Sequence, residues 1–363
     1  MALFIGIMGL PNVGKSTLFN ALTQGNAEAS NYPFCTVEPN VGVVQVPDGR
    51  LARLEEVLKP ASCTPTSIRF VDIAGLVRGA SQGEGLGNTF LGHIREADAL
   101  VHVLRCFENP QIAHVDGIVD PLRDLETIEV ELMLADLETL EKAVPPLDKV
   151  VQTDPNSAHS MELEALKKAE QGLRQGTPLR LVELAAEERV AIQGYNLLTG
   201  KPVLYVANVS EADAAGGTDQ VDRLVEHLGE VEVLKISAQI EAELVQLPEA
   251  DRAEFMTDLG LGETGIDRLV VAGYRLLNLI TFYTIANDKL QAWQLPRGTQ
   301  APVAAGEIHS DMERGFIRAE VASFEDLATA GNMGKLRDEG KLRTEGREYE
   351  IGDGDVVNFL FRV

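Results

Sequence analysis

Near the amino terminus the chain reads Phe4-Ile5-Gly6-Ile7-Met8, then Gly9-Leu10-Pro11-Asn12-Val13-Gly14-Lys15-Ser16-Thr17, then Leu18-Phe19-Asn20-Ala21-Leu22. An apolar strand turns through a glycine-rich loop into a helix, and the loop fits G-x-x-x-x-G-K-[ST]. This segment needs a buried parallel strand whose carboxyl end opens onto a helix start, which is the arrangement of a doubly wound α/β sheet. The residue types follow from the chemistry of phosphate. Gly9 and Gly14 let the main chain curl so that successive N–H groups converge on anionic oxygens. The helix start adds the positive end of its dipole. Asn12, Val13, Gly14, Lys15, Ser16 and Thr17 are therefore expected to line a nucleotide's phosphates. Lys15 supplies the catalytic positive charge at the β- and γ-phosphates, and the Ser16 hydroxyl supplies a ligand to Mg²⁺.

Composition narrows the class further. The 363 residues carry 32 Lys and Arg against 56 Asp and Glu, a net charge of −24. A generally basic nucleic-acid binder is excluded, so any nucleic-acid contact must come from a local basic face. Cys35, Cys63 and Cys106 are odd in number and share no metal-like spacing, which fits a reducing cytoplasm. No apolar run reaches the ~18 residues that a membrane span needs. The short apolar start reads as a first strand and not as a signal peptide.

Buried-strand signals recur at residues 3–8, 67–73, 99–105, 203–208 and 231–237, with helical patterns between them; residues 41–46 add an edge strand. The stretch from Phe107 to Pro202 is too long for one crossover. It reads as an inserted hairpin of two long helices, one over 121–143 ended by Pro145-Pro146, the other over about 160–198 and weakened by Gly172, Gly176 and Pro178. Beyond a helix at 268–277, strands at 280–286 and 290–295, a helix at 302–310, a strand at 316–321, a helix at 324–330 and a strand at 356–362 make a small α+β unit. The expected domains are 1–120 with 199–277, the insert 121–198, and 278–363.

Three further segments follow in the order that a nucleotide switch requires. Thr36, in Asn31-Tyr32-Pro33-Phe34-Cys35-Thr36, is placed to give Mg²⁺ a second hydroxyl. Asp72, in Asp72-Ile73-Ala74-Gly75, supports the Mg²⁺ shell, and the Gly75 N–H meets the γ-phosphate. Asn208-Val209-Ser210-Glu211 stands where guanine-reading proteins carry Asn-Lys-x-Asp. Val209 replaces the Lys, and Glu211 replaces the Asp with a carboxylate one methylene further out. That displacement relaxes guanine pairing and admits adenine, unless Glu211 swings back to reach guanine. Ser237-Ala238 forms the last loop at the base. Where Ras-like proteins place a water-orienting Gln stands Leu76, which cannot hydrogen-bond. His114, on the loop after the 99–105 strand, is the candidate for that task; a solvated loop histidine is the alternative. His93 and His102 read as structural.

With these residues in hand, the chain resembles the YchF family, the Obg-like ATPases among the translation-factor P-loop GTPases. The marks are Gly9–Thr17, Asn31-Tyr32-Pro33-Phe34-x-Thr36, residues 72–79, Gly85-Leu86-Gly87-Asn88, and Asn208-x-x-Glu211. The resemblance implies a G domain with an inserted α-helical hairpin and a C-terminal TGS domain, a β-grasp module. It also implies ATPase activity with the Asn-x-x-Glu loop as the family's own variant, and association with ribosomes. Related proteins ligate K⁺ at the P-loop position of Asn12. The reading from sequence is thus a cytoplasmic, monomeric P-loop NTPase that binds and slowly hydrolyses ATP, and GTP to some extent, with Mg²⁺. It meets ribosome or RNA through the TGS-like domain and the helical arm; in the former, Lys335, Arg337, Lys341, Arg343 and Arg347 make either a basic RNA-facing surface or a solvated charged loop. The rival readings are a GTP-specific ribosome-assembly switch and a scaffold that binds nucleotide without hydrolysing it.

Overall fold

The computed structural model describes residues 3–24, 40–73, 86–154 and 157–362. It divides into two compact units, Met1–Gly42 with Arg69–Leu269, and Val43–Ile68 with Val270–Val363. In chain order the elements are β1 (Phe4–Met8), α1 (Lys15–Gln24), β2 (Val41–Gln45), α2 (Gly49–Leu58), β3 (Ser62–Thr64), β4 (Ser67–Asp72), α3 (Leu86–Glu96) and β5 (Ala99–Arg105). Then come α4 (Pro121–Thr153), α5 (Ser160–Arg174), α6 (Ala186–Ile192), β6 (Val203–Asn208), α7 (Asp219–Leu228), β7 (Val233–Ile236), α8 (Ala238–Leu244), α9 (Glu249–Asp258) and α10 (Gly265–Leu276). The chain ends with β8 (Leu279–Ala286), β9 (Lys289–Pro296), α11 (Ala301–Ile308), α12 (Ser310–Arg314), β10 (Phe316–Ser323), α13 (Phe324–Ala330), α14 (Met333–Asp338), β11 (Arg343–Glu345) and β12 (Asp355–Phe361).

The first sheet has the order β2-β4-β1-β5-β6-β7. Every residue of β5 and β6 is buried, which is why these strands read as continuous apolar runs: helices cover both faces. The parallel registers decide what the site contains. Ile7 pairs with Asp72, Arg105 with Asn208, and Asn208 with Ile236. The carboxyl ends of β1, β4, β5, β6 and β7 therefore share one edge, the place where open α/β sheets bind ligands.

The insert departs from its expected form in two ways. α4 does not stop at Pro145-Pro146 but runs through both to Thr153. Val144 and Leu147 continue its apolar row onto the cluster of Leu140, Leu166 and Leu173, and that packing outweighs the two lost N–H donors. The second helix is not continuous either. α5 ends at Arg174, Gly176 takes a left-handed φ of 79°, and the chain returns through short helical turns and α6. The return is fastened by a buried carboxylate. Asp136 accepts from Leu198 N at 2.7 Å, Thr199 N at 2.8 Å and Thr199 Oγ1 at 2.6 Å. Arg180, Glu129 and the Tyr205 hydroxyl link the same region to β6.

The second unit contains more than the C-terminal segment. Its sheet runs β11-β10-β12-β8-β9-β3. β8 and β9 form a hairpin across Asn287 and Asp288, both at positive φ as a two-residue turn demands. One face packs Phe282, Phe359 and Leu295 under Ala301, Ala304 and Ala305 of α11. The other face packs Tyr283, Leu290 and Val356 under Leu51 and Leu54 of α2 and Leu327 of α13. Residues 43–68, which the sequence places with 1–120, thus cover one face of the C-terminal sheet and add β3 to its edge. The sequence reading gives this segment only an edge strand; α2 and its partner come from the structure. Residues 270–277 also fall in this unit. Leu54 has no exposed surface. Leu54→Ala should cost about 2–5 kcal/mol, read as a lower denaturant midpoint from the fluorescence of Trp293, the only tryptophan. An unchanged midpoint would show that α2 does not hold this core.

Candidate functional site

The loop between β1 and α1 takes a shape that its glycines alone permit. Gly9 has φ 155°, and a Cβ there would lie 2.5 Å from Val103 O. Gly14 has φ 98°, and a Cβ there would lie 2.2 Å from Asn208 Nδ2. Lys15 is 7% exposed and donates from Nζ to Leu10 O at 3.0 Å. Burial pushes its ammonium below the usual range, while the charge of Asp72 pulls the other way. A desolvated cation at a helix start, hydrogen-bonded among the described residues to a carbonyl, is well suited to meet a phosphate. Ser16 and Thr17 are exposed at the helix start.

The expected Mg²⁺ ligands fit on an observation of this structure. Ser16 Oγ donates to Asp72 Oδ2 at 2.9 Å, and Asp72 Oδ1 is buried without a partner. A P-loop hydroxyl and a strand-end carboxylate with spare acceptor capacity are the oxygen donors such an ion takes. Thr36 and Gly75 lie outside the described residues, as does Leu76.

Asn208 ends β6 beside the phosphate loop and is held by two side-chain hydrogen bonds. It is 4% exposed, with Nδ2 donating to Val13 O at 2.8 Å and Oδ1 accepting from Ala238 N at 3.0 Å. It fastens the phosphate loop to the start of α8. Ser237 is buried and caps α8. Val209 is also buried, with its N–H bonded to Ile236 O at 2.9 Å, so it packs beneath the loop; Glu211 is exposed at the rim.

His114 is not turned toward the phosphate loop. Its ring is 2% exposed, Nδ1 accepts from Asp116 N at 3.1 Å, and Nε2 therefore carries the proton and donates to Asp124 Oδ2 at 2.9 Å. In this conformation both ring nitrogens are engaged within the protein. The sequence gives no sign that Asp124, ten residues on at the start of α4, is its partner. Two more groups hold the His114 loop. Arg105 donates to the carbonyls of Phe107 at 3.1 Å, Asn109 at 3.4 Å and Ile112 at 3.1 Å, and its guanidinium lies 4.6 Å from the Phe107 ring centroid. Asn12, at φ 63°, donates from Nδ2 to Ala113 O at 3.1 Å, leaving Oδ1 without a partner among the described residues. His102 is structural: it is buried against Tyr205, and desolvation lowers its pKa to about 3.

The C-terminal basic strip is largely neutralised in place. Arg337 pairs with Glu320 at 3.1 Å, Lys341 with Asp326 at 3.2 Å, and Arg343 with Glu345 at 3.3 Å, while Arg347 lies over the Phe316 ring. Among the described residues no helix is long and apolar enough to cross a membrane.

Asn208→Ala removes two hydrogen bonds that shape the loop. At about 1–1.5 kcal/mol each, the loss is about 2–3 kcal/mol, or roughly 30- to 150-fold in nucleotide affinity. Calorimetric titration of the variant checks this; a change below about threefold would mean that the loop keeps its shape unaided.

Comparison with known proteins places this geometry. Residues 4–136 match the family described as 50S ribosome-binding GTPase, and residues 279–362 match the YchF-GTPase C-terminal family, described as a protein of unknown function. The Ribosome-binding ATPase YchF of Bacillus subtilis (strain 168) is 48% identical over 367 residues, covering all of both chains. Its counterpart in Escherichia coli O157:H7 is 50% identical over 360 residues, 99% of each. The solved structure of the Schizosaccharomyces pombe YchF GTPase superposes with a TM-score of 0.89 at 36% identity, covering 99% of this chain and 97% of that one.

Proposed function

Because the chain belongs to the YchF family of P-loop NTPases, we propose that it is a nucleotide switch that binds ATP with Mg²⁺, hydrolyses it slowly and associates with the ribosome in the cytoplasm. The observation that carries this reading is the conjunction of a desolvated Lys15 with the Ser16–Asp72 pair and its unpartnered Oδ1 at one sheet edge. Ser16 and Asp72, with Thr36 joining from its own segment, are the groups that would hold Mg²⁺. When bound there, the ion neutralises phosphate charge that builds up as the terminal phosphoryl group leaves. Lys15 binds the same oxygens from the protein side, and the Gly75 N–H is assigned to the γ-phosphate. Asn12 Oδ1 is the group a K⁺ ion would use.

Exposed Glu211 in place of Asp supports ATP over GTP, because the longer arm misplaces the carboxylate for paired bonds to guanine. Asn208, Ser237 and Ala238 frame the base from below, with Val209 packed behind them. The ribosome reading draws on what the relatives are named for, and on apolar side chains exposed on the insert, among them Val130, Val150 and Met161. Such surface in an otherwise charged arm is suited to a partner.

His114 remains the proposed water-orienting group, acting after its loop turns it out from Asp124. Arg105 fixes the stem of that loop, and Gly117, at φ 77°, permits the tip to swing. On this reading, a ring that must first leave a buried partner makes turnover slow. His114→Ala should lower single-turnover phosphate release by at least about 100-fold and leave ATP affinity unchanged; equal rates would remove it from the mechanism. Calorimetry of ATP and GTP on one preparation should give the tighter constant for ATP, and a tenfold preference for GTP would replace the ATP reading by a GTP-specific switch.

A further inference from the structure

The first unit holds a second cavity at the opposite edge of its sheet. Its volume is about 420 Å³, within the roughly 300–1,000 Å³ typical of small-molecule sites. It opens between the end of α3, the start of β6 and the returning part of the insert. Arg95, Arg189 and Lys201 line it with charge, and Leu179, Leu184 and Ile192 line it with apolar surface. β5 begins at Ala99 and β6 at Val203, so this is the amino edge. A strand of this length, at about 3.3 Å per residue, separates it from the phosphate loop by roughly 20 Å. None of the nucleotide-site residues reaches it.

None of the three cations has an ion-pair partner within 4 Å among the described residues. Lys201 Nζ donates to Ala97 O, and Arg189 Nη2 donates to Val182 O at 3.0 Å. Arg95 makes no close ion pair among the described residues and acts at longer range on Asp136 and Glu138. Elsewhere on the insert several cations are paired, Lys142 with Glu138, Lys167 with Asp148, Lys168 with Glu188, and Arg174 with Glu170. In a chain with a net charge of −24, carboxylates are in surplus. Three cations without a close ion pair, converging on one half-apolar cavity, are the pattern expected where the countercharge arrives with a ligand. Two acids share the rim. Asp98 is committed to Phe4 N at 2.8 Å, and Glu96 is exposed. Asp136, behind the wall, is spent on Leu198 and Thr199. Burial lowers the Lys201 ammonium, Asp98 and Asp136 oppose the shift, and Arg95 adds to it. A desolvated lysine beside a second cation gains most from an anion brought into contact.

We propose that this cavity binds a small organic anion. Lys201 and Arg95 hold a phosphate or carboxylate head, Arg189 closes the mouth, and an apolar body lies on Leu179, Leu184 and Ile192. The ligand would bridge α3 to the helical insert, two parts of the first unit that meet here around the cavity.

The test uses full-length protein with its phosphate loop saturated by a non-hydrolysable ATP analogue. The probe is 8-anilinonaphthalene-1-sulfonate, an apolar anion, followed by fluorescence against the neutral N-phenyl-1-naphthylamine. One anionic site is expected, weakened at least tenfold in Arg95→Gln/Lys201→Met with the melting temperature retained. Arg189→Glu, on an exposed residue that keeps the fold intact, should weaken it at least threefold and serves if the double variant does not fold. Displacement by phenyl phosphate but not octanoate assigns a phosphate head, and the reverse assigns a carboxylate. Unchanged affinity in the variants, or equal binding of the neutral probe, overturns the proposal.

Discussion

Asn208 is the residue on which the nucleotide site depends. One side-chain amide, 4% exposed, joins the phosphate loop at Val13 to the start of α8 at Ala238. That reach is possible because the β5–β6–β7 register sets Asn208 beside Arg105 and Ile236. It also explains why Gly14 has no side chain: a Cβ would strike the same amide. The curl of the loop, the burial of Lys15 and the approach of Ser16 to Asp72 follow from this bracket and from the glycines that accommodate it.

A second set of restraints governs the His114 loop, and it comes from three separate elements. Asn12 holds it from the phosphate loop, Arg105 from β5 and Asp124 from α4. The Asp124 carboxyl is desolvated, which raises its pKa against the opposing pull of His114 and Arg123, and its buried Oδ1 accepts no hydrogen bond. Such a carboxylate is a costly place to leave a charge, so the His114 contact has real stabilising weight. Arg123, whose Nη2 is 3.8 Å from Asp124 Oδ1, is the neighbouring cation that could take over if the imidazole departs.

The fold and the site were legible to different depths. Strands covered on both faces announce themselves as apolar runs, so β1, β5 and β6 were readable, and the hairpin turn at Asn287-Asp288 was readable from its residue types. Helix ends in the insert were not. Pro145-Pro146 is a stop signal by local rule, but the continued packing of Val144 and Leu147 lies outside any local window. For residues 43–68 the sequence reading gives only an edge strand, and which apolar surface α2 covers is a choice among distant partners. The same holds for His114, whose residue type suggested proton chemistry while its actual neighbour, Asp124, is a matter of where α4 begins.

By itself the sequence determined the phosphate-binding segment, the parallel sheet and the order of the motifs along it, because each depends on backbone conformation and on residues close in the chain. Only the tertiary structure decided that Asn208 clamps the phosphate loop, that His114 is held by Asp124, that α2 belongs to the C-terminal sheet, and that Arg95, Arg189 and Lys201 surround one cavity. Those are encounters between residues far apart in sequence, and they are set by strand register and by which apolar faces bury each other.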